Sequence, residues 1–457
     1  MSDDMYDEFA DAADAVYAQL LQRIGEVNPQ PRLEPTRRAM ELLGDPQRSY
    51  PMIHVTGTNG KTSTSRMIES ILRAHGLRTG LLTSPHLVRF NERIVIDGEP
   101  ISNEALADNW ADIAPYIAMV DTELVAAGDV PLTFFEALTV LAFACFADAP
   151  VDVAVVEVGI GGEWDSTNVA DGQVAVFAPI ALDHVGRLGN TIAEIARTKS
   201  GIIKPAAAVV SAKQTPEALA ELQRAAELTE SSMAVQGTET GFELLSSTMA
   251  VGGQLISVRG LAGSYSEQFL PLYGSHQGQN AAVAIAAVEA FLGGGSQAIP
   301  EDILVEGLGG VTSPGRLQLI GIEPTVIVDA AHNPHGAASL AAALSEFFDF
   351  EEITVVLGVL DDKDAEGIIG AIAPLATHIH VTRSNSERAI PVEELSEKVR
   401  ALTTGQSVTE FDEVASALEH ARRWALEAPR RAVVVTGSIT LVGEAISLGE
   451  AGEWMKA

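Results

Sequence analysis

Seven short runs rich in β-branched and aliphatic residues recur along the chain, separated by longer Ala- and Leu-rich segments with helical spacing. This alternation constrains the fold more than any other feature. MIHVTG (52–57), VDVAVVEVG (151–159), VAVFAPI (174–180), TVIVDAA (325–331), ITVVLGV (353–359), HIHVT (378–382) and AVVVTGS (432–438) are almost continuously apolar. Strands buried on both faces read this way, and such strands belong to parallel sheets covered by helices. Ligands in these folds bind at the carboxyl ends of the strands. The stretch 232–273 breaks the pattern, because it carries several glycines and an alternating GGQLISVRG, and it predicts antiparallel strands inserted into the first domain. A helix is expected at 280–293, and GLGGVTSPGR (307–316) is the best linker. The expected class is α/β. A large N-terminal P-loop-type doubly wound domain (1–312) carries the small inserted β region, and a smaller C-terminal Rossmann-like α/β domain (313–457) follows.

Charge narrows the partners. With 29 Lys and Arg against 62 Asp and Glu the net charge is −33, which disfavours nucleic acid and anionic membrane. The start MSDDMYDEFADAAD lacks the basic and apolar parts of a signal peptide, and no run of about 18 apolar residues indicates a membrane span. A cytoplasmic protein, monomeric and acting on small molecules, is expected. Cys145 lies in the apolar run TVLAFACF and reads as a buried structural thiol.

The strand MIHVTG runs into TNGKTSTSRMIESILRAHG, a helical sequence. Gly57, Thr58, Asn59, Gly60, Lys61 and Thr62 therefore occupy a strand–turn–helix. Glycines there let backbone N–H groups face phosphates, Lys61 supplies a cation, and the helix N-terminus adds partial positive charge. The spacing G-x-x-G-K-T is two residues shorter than the general phosphate loop, so the nucleotide is not specified by it. Glu157 interrupts an apolar strand, His184 follows another in ALDHVGRLG, and Ser84 ends LLTS. A carboxylate, an imidazole and a hydroxyl at one strand edge beside a phosphate loop predict a Mg²⁺ site. Lys199, in IARTKSGIIKP, contributes to a metal site only as an N-carbamate, which the residue pattern by itself does not suggest.

In this order, LLGDPQRSYPMIHVTGTNGKTS, LLTSPHLVRFNERI, PLTFFEALTVLAF, VVEVGIGGEWDSTNV, DHVGRLGNTIAEIARTKSGIIKP, GSHQGQNAAVA, SPGRLQ, VDAAHNPHG and VVTGS cover the chain from about Arg32 to Gly443. The chain resembles folylpolyglutamate synthase, often bifunctional with dihydrofolate synthase, among the Mur-ligase-like ATP-dependent amide ligases. The resemblance implies that Gly57 to Thr62 hold the ATP phosphates and that Asn280, Arg316 and Asp329 contact ATP, with His332 beside the γ-phosphate. It implies magnesium ligation, of two ions in the family's pattern, by Ser84, Glu157 and His184, with a carbamylated Lys199 supporting the second metal. Thr133, Phe135 and Glu136 with Trp164, Asp165 and Ser166 fall where the pterin substrate sits, and Leu33 and Glu34 adjoin that pocket. Lys61, His184, Lys199, Arg316 and His332 are the expected catalytic set. Three features depart from the family's pattern: Thr62 where glycine is common, GGEWDSTN for GGRLDATN, and Ala330 for glycine.

The reaction so implied joins a folate or dihydropteroate carboxylate to L-glutamate through an acyl phosphate, releasing ADP and phosphate. ATP is expected to bridge the two domains, with closure excluding water from the acyl phosphate. The rival readings are a Mur-type ligase acting on a UDP-sugar precursor and a non-catalytic ATP-sensing regulator. A GTPase switch lacks its N-K-x-D guanine motif here.

Overall fold

The protein is described by a computed structural model covering residues 8–25 and 29–452; the acidic residues 1–7 read above lie outside it. The chain divides into two compact units. The first takes in the described residues to Ser246 with Ile256–Phe269 and Gln279–Val311; the second takes in Ser247–Leu255, Leu270–Gly278 and the described residues from Thr312 onward.

In the first unit eight strands make one sheet: β1 (Met52–Thr56), β2 (Thr79–Leu82), β3 (Ile94–Ile96), β4 (Glu99–Pro100), β5 (Val153–Glu157), β6 (Val174–Phe177), β7 (Ala208–Ser211) and β8 (Ser232–Val235). Their order is β4-β3-β2-β5-β1-β6-β7-β8. Neighbours from β2 to β8 are parallel, and β3 and β4 add an antiparallel edge. The order reverses around β1, which makes its carboxyl end the crevice of a doubly wound sheet. Ala154 and Val156, two residues apart and so on one face of β5, join an apolar cluster with Leu138 and Leu141 of the helix Phe134–Asp148. Ala175, Phe177 and Val209 form another with Ile195 and Leu222. Burying each Val, Leu, Ile or Phe of these clusters contributes about 1.5–3 kcal/mol. Cys145 lies in the first of these clusters, and burial pushes its thiol above the usual range.

The 232–273 region differs from expectation at its start. Ser232–Val235 is not part of an antiparallel insert but the eighth strand of the main sheet, parallel to β7. The rest forms a three-stranded sheet of β9 (Glu243–Ala250), β10 (Gly253–Arg259) and β11 (Ser264–Leu270), in the order β11-β10-β9. The two residues between β9 and β10 suffice only for an antiparallel hairpin. The expected linker at 307–316 is also partly helical, since the helix Glu301–Gly309 runs into it. Gly307 is needed there for packing: a Cβ would come within 2.7 Å of the Ile71 Cα, and its carbonyl accepts the Ser70 hydroxyl at 2.7 Å.

The second unit holds β12 (Gln318–Ile322), β13 (Thr325–Asp329), β14 (Glu352–Leu357), β15 (His378–Val381), β16 (Ser407–Glu410) and β17 (Arg431–Thr436), ordered β12-β13-β17-β14-β15-β16. All pairs are parallel except β12 with β13. The mixed α/β class and the helix over 280–293, seen as Ser275–Gly293, agree with the sequence reading. Among the described residues no helix is long and apolar enough to cross a membrane.

Candidate active site

Because β1, β2, β5 and β6 are parallel, their carboxyl ends share one edge, and that edge collects the polar motifs. β1 leads to Gly57–Thr62, β2 to Ser84, β5 ends on Glu157, and β6 leads to His184. The loop after β1 is shaped by its glycines. Gly57 has φ of 151° and packs so closely that a Cβ would lie 2.7 Å from the Ala178 Cβ. Gly60 caps the helix Lys61–Ala74 at φ of 86°, where a Cβ would meet the Asn280 Oδ1 at 2.7 Å. Asn280 is thereby held against the loop it was expected to serve. Thr58 anchors the loop to the segment after β6: its N–H donates to the Pro179 carbonyl at 2.9 Å, and its hydroxyl pairs with the Ala181 backbone at 3.0 Å.

The Thr62 hydroxyl lies 3.1 and 3.0 Å from the two oxygens of Glu157, which accept its proton. Glu157 is buried at the end of a central strand. A hydroxyl and a carboxylate, both hard oxygen donors and both beside a phosphate-type loop, fit Mg²⁺, which is usually bound by one or two carboxylates plus substrate phosphates. Among the described residues no group of three His, Cys, Asp or Glu is gathered for a metal, so the donor set suits a phosphate-shared ion rather than an all-protein cage. His184 has a left-handed backbone, φ of 49°, held by its N–H to the Asp183 carboxylate at 2.8 Å.

Lys199 belongs to the same unit, near the end of the helix Ile192–Ser200. The residue is 4% exposed and its Nζ donates to the Gly57 carbonyl at 2.8 Å, while Lys61 donates to the same oxygen and to the Thr58 carbonyl at 3.3 Å. Burial foremost, then the charge of Lys61, lowers the Lys199 amine to about 7 against the pull of Asp183 and Asp165.

The candidate pterin residues come from two segments. Thr133 caps the helix Phe134–Asp148 in a capping box with Glu136, whose carboxylate also holds Arg32 through a two-point ion pair at 3.0 Å. Sequence reasoning missed Arg32, although its cation at the edge of the resembling region was a usable signal. Asp165 is buried and accepts from the Ile160 N–H at 2.9 Å and the Thr167 N–H at 3.0 Å. Ser166 shares a 2.7 Å bond with Thr139. Phe135, Trp164 and Leu33 are partly exposed, and Glu34 is exposed and paired with Arg37.

In the second unit, Asp329 ends β13 and accepts from the Leu317 and Ala331 N–H groups, both at 2.9 Å. Burial raises its carboxyl, with Arg316 acting against that. The bond to Leu317, itself left-handed at φ of 44°, fixes the turn carrying Arg316. His332 Nδ1 lies 2.9 Å from the Ala330 carbonyl.

Residues 55–288 match the Mur ligase middle domain, and residues 315–439 match the Mur ligase glutamate ligase domain. A dihydrofolate synthase/folylpolyglutamate synthase of Mycobacterium tuberculosis is 43% identical over 451 residues, covering 93% of this chain and 92% of its own. The chain belongs to the dihydrofolate synthase/folylpolyglutamate synthase family of Mur ligases. As a member of that family it is an enzyme, a ligase forming carbon–nitrogen bonds. The fold agrees: Mycobacterium tuberculosis folylpolyglutamate synthase complexed with ADP superposes at a TM-score of 0.92, with 42% identity over 97% of this chain and 99% of that one. Escherichia coli FolC in complex with DHPP and ADP gives 0.83, with 28% identity over 97% and 99%. Dihydrofolate synthase/folylpolyglutamate synthase names among the relatives favour the folate branch over ligases for UDP-sugar precursors.

Proposed function

We propose that the chain adds L-glutamate to folate-type carboxylates at the expense of ATP, acting both on tetrahydrofolate and its polyglutamates and on dihydropteroate, which becomes dihydrofolate. What carries this reading is the 43% identity over 93% of the chain to a dihydrofolate synthase/folylpolyglutamate synthase of Mycobacterium tuberculosis, and the Thr62–Glu157 contact at the head of the phosphate loop supports its nucleotide corner. Residues 1–312 serve as the ATP-binding domain and 313–457 as the second, glutamate-ligase domain.

A carboxylate is a poor electrophile and must first be activated. One of its oxygens attacks the γ-phosphorus, ADP leaves, and an acyl phosphate forms. The neutral amine of glutamate then attacks the acyl carbon and phosphate departs with the bonding pair; the amine's proton passes to solvent. Lys61 and the loop N–H groups of Gly57 to Thr62 orient the phosphates and offset charge on the transferring group. The resemblance assigns nucleotide contacts to Asn280, Arg316 and Asp329, and the γ-phosphate side to His332. Thr62, Ser84, Glu157 and His184 would hold Mg²⁺, which supplies charge neutralisation on the phosphates when bound. The lowered Lys199 amine suits carbamylation: the neutral nitrogen adds CO₂, loses a proton and becomes a carboxylate able to support a second ion. The pterin lies among Thr133, Phe135, Glu136, Trp164, Asp165 and Ser166, with Leu33 and Glu34 at the margin. The same reading makes the enzyme a cytoplasmic monomer without nucleic acid or membrane partners.

The test is ADP release with dihydropteroate and tetrahydrofolate in parallel, with and without L-glutamate. Glutamate-dependent release with both is expected. Release with neither, or only with a UDP-linked acceptor, overturns the reading. An intact mass of active enzyme lacking the added CO₂ refutes the carbamate.

A further inference from the structure

His54 is fully buried in the middle of β1, between Val156 of β5 and Ala175 of β6, where its sequence neighbours Ile53 and Val55 are apolar. An imidazole at such a position needs a reason. Its Nε2 is 2.9 Å from the Thr167 hydroxyl, and that hydroxyl is 2.5 Å from the Asp165 Oδ1. The direction of the chain is settled by its far end. Asp165 already accepts two backbone N–H groups, so its carboxylate takes the Thr167 proton as well. The Thr167 oxygen is then the acceptor for His54, which must carry its proton on Nε2. His54 Nδ1 is left as a buried acceptor with no partner. Burial, then the charge of Lys204, lowers the His54 imidazole to about 3, so it stays neutral. A residue retained only for packing gains nothing from an unpaired buried nitrogen.

The second tie comes from the same strand. Thr56, two residues on and hence on the same face of β1, donates its hydroxyl to the Gly161 carbonyl at 2.9 Å. One face of β1 therefore grips the 160–168 loop at both ends, while the strand's own carboxyl end becomes the phosphate loop. On its other side the loop is fastened to the helix of Lys199. The Glu163 N–H donates to the Thr198 carbonyl at 2.8 Å, Asn168 donates to the Gly201 carbonyl at 3.0 Å, and Gly162 leaves no room for a Cβ against the Lys199 backbone.

We propose that His54 is a positioning residue for the folate-type substrate: acting through Thr167 it orients Asp165, and with Thr56 it sets the register of the 160–168 loop against the phosphate loop. The proposal rests on the reading above that Asp165 lines the pterin pocket. It separates binding of the two substrates, because the relay's hydrogen bonds end on Asp165 and none of them reaches the loop from Gly57 to Thr62.

The experiment measures KM for dihydropteroate and tetrahydrofolate, kcat, and Kd for ADP in full-length His54→Leu, His54→Gln, Thr167→Val, the Leu/Val double variant and Asp165→Asn. Leucine at 54 and valine at 167 should each raise the folate KM tenfold or more, with ADP Kd held within twofold. The double variant should be no worse than the worse single one, since both break one chain. Glutamine at 54, which keeps an N–H near the Nε2 position, should restore KM to within about threefold. Multiplying effects in the double variant, equal losses of folate and ADP binding, or failure of glutamine to rescue overturn the proposal. Should His54→Leu not fold, Thr167→Val and His54→Gln still decide it. A raised KM in Asp165→Asn with none in Thr167→Val removes the relay alone. An unchanged KM in Asp165→Asn removes the pocket assignment, and the relay with it.

Discussion

Replacing Lys199 with methionine should stabilise the metal-free protein while abolishing ligation. The amine falls from 10.5 to about 7, led by burial and then by Lys61, which shares the Gly57 carbonyl. A difference of 3.5 between those values corresponds to about 5 kcal/mol against the folded state where the unfolded chain is protonated and the site is also forced to be. The sign follows from proton counting. Between pH 7 and 10.5 the unfolded chain holds a proton that the folded chain has released, so stability rises with pH over that window, and the penalty is largest below pH 7. Methionine removes the penalty but also one hydrogen bond to Gly57, worth about 1 kcal/mol. The net gain at pH 7 is roughly 3–4 kcal/mol, shrinking to about 1 at pH 9, where about 2 kcal/mol of penalty remains. Urea denaturation in buffers free of CO₂ and divalent cations reads both values, and glutamate-dependent ADP release reads the activity. A variant less stable than the parent at pH 7, or a gap that does not move between pH 7 and 9, would refute the reasoning.

Two further outcomes test the local structure. Glu136→Ala removes the capping box with Thr133 and leaves Arg32 the half-exposed Asp129 carboxylate at 3.0 Å and the Val130 and Pro131 carbonyls at 3.1 and 3.0 Å; a loss of about 2–3 kcal/mol is expected in chemical denaturation, and a loss under about 1 kcal/mol would show the pair to be idle. Gly60→Ala forces a Cβ onto the Asn280 side chain at a left-handed φ of 86°. It should cost about 1–2 kcal/mol and weaken ADP binding at least tenfold by calorimetry; undiminished binding would remove Asn280 and this turn from the nucleotide site.

Much of the architecture was legible in the chain because a strand buried on both faces writes itself as a continuous apolar run. MIHVT, VAVVE and VAVF were readable as β1, β5 and β6 for that reason. SMAV was assigned to the antiparallel insert rather than to the main sheet, since β8 lies at the sheet's edge, is only partly buried, and owes its place to pairing with Ala208–Ser211. Gly307 was misleading in the opposite sense: glycine near a Pro suggests a linker, yet here it admits a helix–helix contact at Ile71.

The candidate site divides along the same line. Spacing alone placed Gly57, Gly60, Lys61 and Thr62 on a strand–turn–helix, because that conformation is local and its glycines are required by backbone geometry. Glu157 stood out as a carboxylate inside an apolar strand, and the resemblance carried Lys199 to the same region. Only the packed sheet brought the Thr62 hydroxyl to Glu157, 95 residues away, and the Lys199 ammonium to Gly57, 142 residues away. His54 shows the limit most clearly. In the sequence it is one polar letter in an apolar strand, and its meaning depends on Thr167 and Asp165, which the order β5-β1-β6 folds over it. Local geometry is encoded by neighbours along the chain. Burial, shared acceptors and the pKa of a lysine arise from neighbours in space, and those the tertiary structure alone decided.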